Sequence, residues 1–264
     1  VRPSDWRPFE AGVPGEERVD QVLEWLRRPE SRRPHLVTLY FEDVDSKTHR
    51  HGIGSAESVQ AIRNVDRWLG RLRDGVARLP ISNRVYIILV SDHGMAKLDR
   101  ENALVLESVI ALEDMDIVEG GPYAFLHFTQ PDSARALALR NTINSQWDCG
   151  EALMPGDMPD SWQAGHSPRY PDLALLAAPG CAVVSRPERL QKLQRADHGW
   201  APDLPEMRGI LYATGPRIPA GAKVGEVHVT DVHPLIMELL GLDAPGPTDG
   251  NPAALTSLLA PETR

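Results

Sequence analysis

The sequence predicts an α/β fold, and three observations carry that prediction. Near-continuous apolar runs at 36–41 and 84–90 have the composition of buried strands. Between them, Val59, Ile62, Val65, Leu69, Leu72 and Val76 recur at spacings of three and four, which is an amphipathic helix over 55–77. Strand, helix, strand in that order reads as a right-handed parallel crossover. The run Val85-Tyr86-Ile87-Ile88-Leu89-Val90 leads straight into Ser91-Asp92-His93-Gly94-Met95. A carboxylate and an imidazole therefore stand together at a strand end, where open α/β sheets keep their chemistry.

The remaining elements follow in chain order. Val19, Val22, Leu23 and Leu26 share one face of a helix over 17–28, and Pro29 stops it. Pro34 leads into the strand at 36–41. Beyond residue 100 the pattern loosens: Tyr123–Phe128 reads as a strand, Ser133–Asn144 as a helix and 173–178 as a strand, with a Pro-, Gly- and Asp-rich loop from Met154 to Pro171. Residues 100–190 read as an inserted or capping region within one domain. Gly209–Ala213 is a further buried strand. Thr230 suits the N-cap of a helix carrying Leu235, Ile236, Leu239 and Leu240, with Gly241 just past its end. No internal repeat or low-complexity segment interrupts the chain.

With 264 residues, 42% of them hydrophobic and 25% charged, the chain can bury a substantial core as one α/β domain or as a domain with a small lobe. A net charge of −9 argues against binding a nucleic-acid polymer through a basic surface. A bound cation would still attract phosphate locally. No stretch approaches the roughly 20 apolar residues of a membrane span. Val1-Arg2-Pro3-Ser4-Asp5 is polar and has the features of no signal peptide. Cys149 and Cys181 are compatible with one disulfide closing a loop of about thirty residues, or with two buried thiols; neither has the nearby partner of a zinc ribbon.

Two more clusters join Asp92 and His93. Asp45 and His49, four apart after the 36–41 run, reach one ion if the segment between them turns or begins a helix. His198-Gly199 lies within Arg195-Ala196-Asp197-His198-Gly199-Trp200, with Asp197 beside it as a group able to orient the imidazole. Each cluster alone is weak; a turn carboxylate and a surface histidine are commonplace. Their conjunction points to a metal site.

Taken in order, the segments resemble the nucleotide pyrophosphatase/phosphodiesterase family of the alkaline phosphatase superfamily. Tyr40-Phe41-Glu42-Asp43-Val44-Asp45-Ser46-Lys47-Thr48-His49 is similar to its tyrosine-led acidic stretch, Ser91-Asp92-His93-Gly94-Met95 to its Ser-Asp-His-Gly-Met signature, and Asp197-His198-Gly199-Trp200 to its late His-Gly-aromatic element. Met207–Pro216 and Leu239-Leu240-Gly241-Leu242 match as well, so the likeness covers most of the chain. It implies an alkaline-phosphatase-like, mostly parallel central sheet flanked by helices. It implies two Zn2+ ions, one held by Asp45, His49 and His198 and the other by Asp92 and His93, with Tyr40 stacking on the nucleobase.

The implied activity is hydrolysis of nucleotide phosphodiesters and pyrophosphates to nucleoside 5′-monophosphates, through a covalent intermediate on a Thr or Ser. That nucleophile, and one further Asp on the second zinc, are expected upstream of residue 1, which makes residues 1–264 the C-terminal portion of the catalytic domain. The resemblance also implies a periplasmic or extracellular location. Rival readings are a phosphomonoesterase, phosphonoacetate hydrolase or phosphomutase of the same superfamily, or a zinc-binding domain without turnover. The chain departs from the family pattern at Thr48, where Gly is usual, and at Asp197, where Asn is usual. His51 is a rival to His49 disfavoured by spacing; Asp43 and His233, near Asp231, read as solvated turn and helix-start residues.

Overall fold

In the computed structural model, residues 2–159, 162, 169–243, 246 and 248–260 are described. The chain divides into two compact units. One is drawn from Val1–Phe41, Arg63–Asp92 and Ile210–Arg264, the other from Glu42–Ile62 and His93–Gly209.

In the first unit, α1 (Gly15–Leu26) buries Val19, Val22 and Leu23 against Trp68, Leu72 and Val76 of α3 (Ala56–Ala77), which begins in the second unit. Ser55 caps α3 by accepting the Ser58 N–H at 3.1 Å. Residues 36–41 were expected as a strand but form no ladder; Val37, Leu39 and Phe41 pack on the helix pair while Leu36 and Tyr40 stay exposed. An apolar run specifies which side chains are buried, whereas a strand also needs a second backbone to pair with. The expected parallel crossover is therefore absent among the described residues.

The second expected strand is shorter, β1 (Ile87–Val90), because Ser82–Arg84 turns as 3-10 helix; β1 runs antiparallel to β10 (Leu211–Thr214). Ser91 extends that pairing: its N–H donates to the Ile210 carbonyl and its hydroxyl accepts the Ile210 N–H. Farther on, a 3-10 turn at Val229–Asp231 precedes α5 (Val232–Leu240), which Gly241 ends in the left-handed conformation. Asp231, not Thr230, holds the capping position. Its buried carboxylate turns instead to the backbone N–H groups of His228 and Asn251, tying α5 to α6 (Pro252–Thr256).

The second unit is built on a four-stranded antiparallel sheet in the order β4 (Met115–Glu119), β5 (Tyr123–Phe128), β7 (Leu173–Ala177), β6 (Gly150–Leu153). Strands β5 and β7 and helix α4 (Ser133–Asn144) fall where the sequence puts them. Much of the loop expected from Met154 to Pro171 lies outside the described residues. Asp132 caps α4, and the Asn144 side chain bonds both backbone groups of Ala152 in β6. Strand β3 (Ala103–Val105) pairs in parallel with β8 (Ala182–Val184). Leu106, Leu126, Leu173, Leu175 and Val183, all fully buried, form the centre of the core.

The class is α/β, but apart from β3–β8 the described ladders are antiparallel rather than mostly parallel. Continuous apolar runs mark burial on both faces, and an antiparallel strand inside a packed unit meets that condition too. Cys149 and Cys181 form a disulfide joining the start of β6 to the start of β8. No described helix is long and apolar enough to cross a membrane.

Candidate metal centre

The segment after residue 41 is a helix, α2 (Asp43–His51), opened by Asp43. That makes the four-residue spacing of Asp45 and His49 one helical turn, with both side chains on one face. His49 Nε2 lies 3.2 Å from Asp45 Oδ1. Its Nδ1 donates to the Ala196 carbonyl at 2.9 Å, which leaves Nε2 carrying the ring's lone pair. Thr48, the departure from the family pattern, is buried and its hydroxyl donates to the Val44 carbonyl one turn earlier, so the helix accommodates it.

One short ladder and one backbone hydrogen bond bring the His93 and His198 segments to α2. Strand β9 (Ala196–Asp197) pairs antiparallel with β2 (Ala96–Lys97), setting the His198 and His93 segments side by side. The Arg195 N–H donates to the His49 carbonyl at 2.9 Å, tying the β9 segment to α2 as well. His198 Nε2 consequently comes within 3.8 Å of Asp45 Oδ1. Asp45, His49 and His198 each offer a ligand atom within 4.8 Å of the others. Among the described residues, the buried Asp45 Oδ1 has no hydrogen-bond donor. A buried carboxylate oxygen facing two imidazole nitrogens with no proton donor is poorly satisfied by protein alone and well satisfied by a divalent cation. The donor set fits zinc.

His93 stacks on His198, with ring centroids 3.5 Å apart and 17° between planes. Its Nδ1 donates to the Gly94 carbonyl at 2.8 Å, so this ring too keeps its lone pair on Nε2. Asp92 ends the Arg63–Asp92 stretch of the first unit, just after β1, and His93 begins the His93–Gly209 stretch of the second. Tyr40 also belongs to the first unit: its carbonyl accepts Arg18 Nη1 at 3.2 Å, and its exposed ring lies 6.1 Å from that of Phe9. His51, the rival ligand, instead faces Glu57 at 3.7 Å, and His233 is exposed at the start of α5.

Gly94 is needed for close approach, not for a sharp turn. Its φ lies outside the left-handed region, its N–H donates to the Met207 carbonyl at 2.8 Å, and a Cβ there would sit 2.1 Å from the Glu206 carbonyl oxygen. Gly94→Ala is expected to destabilise the protein by about 1–3 kcal/mol, because backbone rather than a flexible side chain must yield. Urea unfolding measures this, and an unshifted midpoint would refute the close approach.

Asp197 is buried, accepts the His198 N–H at 2.9 Å through Oδ1, and lies 3.6 Å from His49 Nδ1. Burial pushes its carboxyl above the usual carboxylate range, against the bond from His198 and the pull of His49, while nearby Asp45 raises it further. Sequence reasoning identified Asp197 as a neighbour of the site but not its contact with His49. The only signal was its position before His198.

A cavity of about 480 Å3 opens beside α2, lined in part by Asp45, His49 and Asp197. The basic residues Arg50, Arg189 and Lys192 also line it, and sequence motifs gave no sign of them.

The family model described as type I phosphodiesterase / nucleotide pyrophosphatase matches residues 1–201. The chain is 29% identical to mouse ectonucleotide pyrophosphatase/phosphodiesterase family member 1 over 98% of its own length and 29% of that protein. It is 27% identical to the venom phosphodiesterase CdcPDE of Crotalus durissus collilineatus over 97% of this chain and 31% of that one. The chain thus spans under a third of the length of these curated relatives. Among solved structures, murine ectonucleotide pyrophosphatase / phosphodiesterase 5 superposes with a TM-score of 0.89 at 23% identity, covering 98% of this chain and 68% of that one. An inactive form of the same protein, in complex with AMP, superposes equally well. With a family match over residues 1–201 and the ordered Asp-His, Ser-Asp-His-Gly-Met and His-Gly segments in place, the chain belongs to the type I phosphodiesterase / nucleotide pyrophosphatase family of the alkaline phosphatase superfamily.

Proposed function

We propose that the protein hydrolyses nucleotide phosphodiester and pyrophosphate bonds in a zinc-dependent reaction that releases nucleoside 5′-monophosphates. The observation that carries this reading is Asp45 Oδ1, buried without a donor between the Nε2 atoms of His49 and His198. In this reading Asp45, His49 and His198 hold one zinc, and Asp92 and His93 contribute to a second. Bound zinc supplies Lewis acidity toward the phosphoryl oxygens and lowers the pKa of a coordinated hydroxyl.

The chain's own residues do the holding and orienting. The Ala196 carbonyl fixes the His49 tautomer and ring direction, the Gly94 carbonyl does the same for His93, and Asp197 restrains the backbone at His198. Tyr40 offers an exposed ring on which a nucleobase can stack. The nucleophile is a Thr or Ser outside residues 1–264, forming a covalent phospho-enzyme. The names of the relatives and the AMP complex of a structural neighbour support a nucleotide substrate. The Cys149–Cys181 disulfide supports a periplasmic or extracellular site of action.

The test is p-nitrophenol release from the p-nitrophenyl ester of thymidine 5′-monophosphate by the full-length protein. Chelation should abolish release and zinc should restore it. Zinc binding without release would leave a non-catalytic zinc domain, and indifference to chelation would end the zinc reading.

A further inference from the structure

Strands β4 and β5 are joined through Gly120, Gly121 and Pro122, and Tyr123 follows as the first residue of β5. This corner is fixed at three points. The Gly120 N–H donates to the Tyr123 carbonyl at 3.0 Å, the Gly121 carbonyl accepts the Val183 N–H at 2.7 Å, and the carbonyl of the wholly buried Pro122 accepts the Ala177 N–H at 2.8 Å. The Tyr123 side chain is half-buried, with its ring 4.9 Å from that of Phe125, two residues on along the same face of the strand.

The Tyr123 ring reaches Gly199, the residue after His198. A Cβ at Gly199 would sit 3.1 Å from both Cδ1 and Cε1 of the tyrosine, and among the described residues nothing else beyond its chain neighbours comes within 4 Å of that position. The far end of the ring abuts Gly120, where a Cβ would sit 2.5 Å from Cζ. One ring therefore spans from the fixed corner to the histidine segment. Gly199 has φ +105°, and a glycine backbone has the widest conformational freedom of any residue. The anchors on either side of it act elsewhere: Asp197 accepts the His198 N–H, and the buried Trp200 donates through Nε1 to the Cys181 carbonyl at 3.2 Å. Between those anchors, the peptide leading out of His198 rests on Tyr123.

We propose that Tyr123 is a positioning residue of the metal centre: its ring, seated across Gly120 and Gly199, restricts the backbone that carries His198 and so sets the affinity of the three-ligand site for a divalent cation. The proposal rests on the reading of His198 as a zinc ligand and adds to it what holds that ligand in place. Asp45 and His49 share one turn of α2 and come as a ready-made pair. His198 comes from a separate segment, so its Nε2, 3.8 Å from Asp45 Oδ1, is only as well placed as residues 197–200 are. Taking away the ring frees Gly199, and the third ligand then has to be ordered at the moment of binding. Groups that orient a ligand without touching the metal have effects of this kind on affinity.

The experiment titrates metal-free, full-length protein with Zn2+ against a competing chelator and follows the binding step that His198→Ala removes. Tyr123→Ala should raise the zinc dissociation constant of that step by roughly 10–100-fold, whereas Tyr123→Phe, which keeps the ring, should stay within about threefold of the parent. Phe125→Ala is the control for packing alone. It removes a ring from the same face of the sheet without touching Gly199, so it should lower stability yet leave the zinc dissociation constant within about threefold. If Tyr123→Ala does not fold, Tyr123→Val, which suits a strand and ends short of Cδ1, takes its place. A rise under about threefold in the variant lacking the ring overturns the proposal, and so does an equal rise in Phe125→Ala or in Tyr123→Phe. A parent protein that binds no zinc, or a His198→Ala variant that loses no binding step, overturns the ligand reading itself and the proposal with it.

Discussion

Full-length protein carrying His198→Ala is expected to bind one zinc ion fewer than its parent and to lose diesterase activity by roughly a thousandfold. The several kcal/mol that a bound metal contributes to transition-state charge stabilisation correspond to that factor. The physical cause lies at Asp45 Oδ1, which has two Nε2 neighbours and no donor; the variant leaves it one neighbour, 3.2 Å away. Two ligand atoms from one helical turn make a much weaker zinc site than three. Elemental analysis after dialysis gives the stoichiometry, and p-nitrophenol release gives the rate. His198 is part-exposed, so the metal-free variant should unfold within about 1 kcal/mol of the metal-free parent, which separates a lost ligand from a lost fold. Unchanged stoichiometry and unchanged activity would remove His198 from the ligand set.

The double variant Cys149→Ala/Cys181→Ala is expected to lose about 3–4 kcal/mol of stability. The two cysteines are 32 positions apart, and opening a loop of that size returns this much chain entropy to the unfolded state. The link matters more here because, among the described residues, β6 is an edge strand paired with β7 alone. Urea unfolding of metal-free protein is the right measurement, since bound zinc would stabilise parent and variant by mass action and obscure the difference. A loss under about 1 kcal/mol would mean that the cross-link does not constrain the unfolded chain as its separation requires.

The elements legible in the sequence are those whose signal is local and long. Strand β5 is a nearly continuous apolar run, α4 begins at an Asp cap, and the α3 stripe from Val59 to Val76 runs for about five turns. What escaped is set by partners distant in sequence. Strands β2 and β9 are two residues each and exist only because they meet, and β3 and β8 are barely longer. Residues 36–41 have strand composition without a strand's neighbour. The same divide runs through the site. Asp45, His49 and His198 were legible because one helical turn and a His-Gly pair are short-range patterns. Arg50 and Lys192 were not, since a cavity brings them to one place and nothing in their own neighbourhoods marks them. The sequence points to Thr230 as the cap of α5, and nothing local marks Asp231, whose bond from Asn251, twenty positions on, ties α5 to α6.

The two-residue ladder between β2 and β9 sets an order in time. Residues 93 and 198 cannot face each other until the intervening chain has closed on itself, and residue 45 lies farther still from residue 198 along the chain. Contacts that span such lengths form late, after local helices and hairpins. A nascent or partly unfolded molecule therefore offers scattered imidazoles and carboxylates but no three-ligand pocket. Metal capture becomes a final step of maturation, reserved for chains that have already completed their second unit.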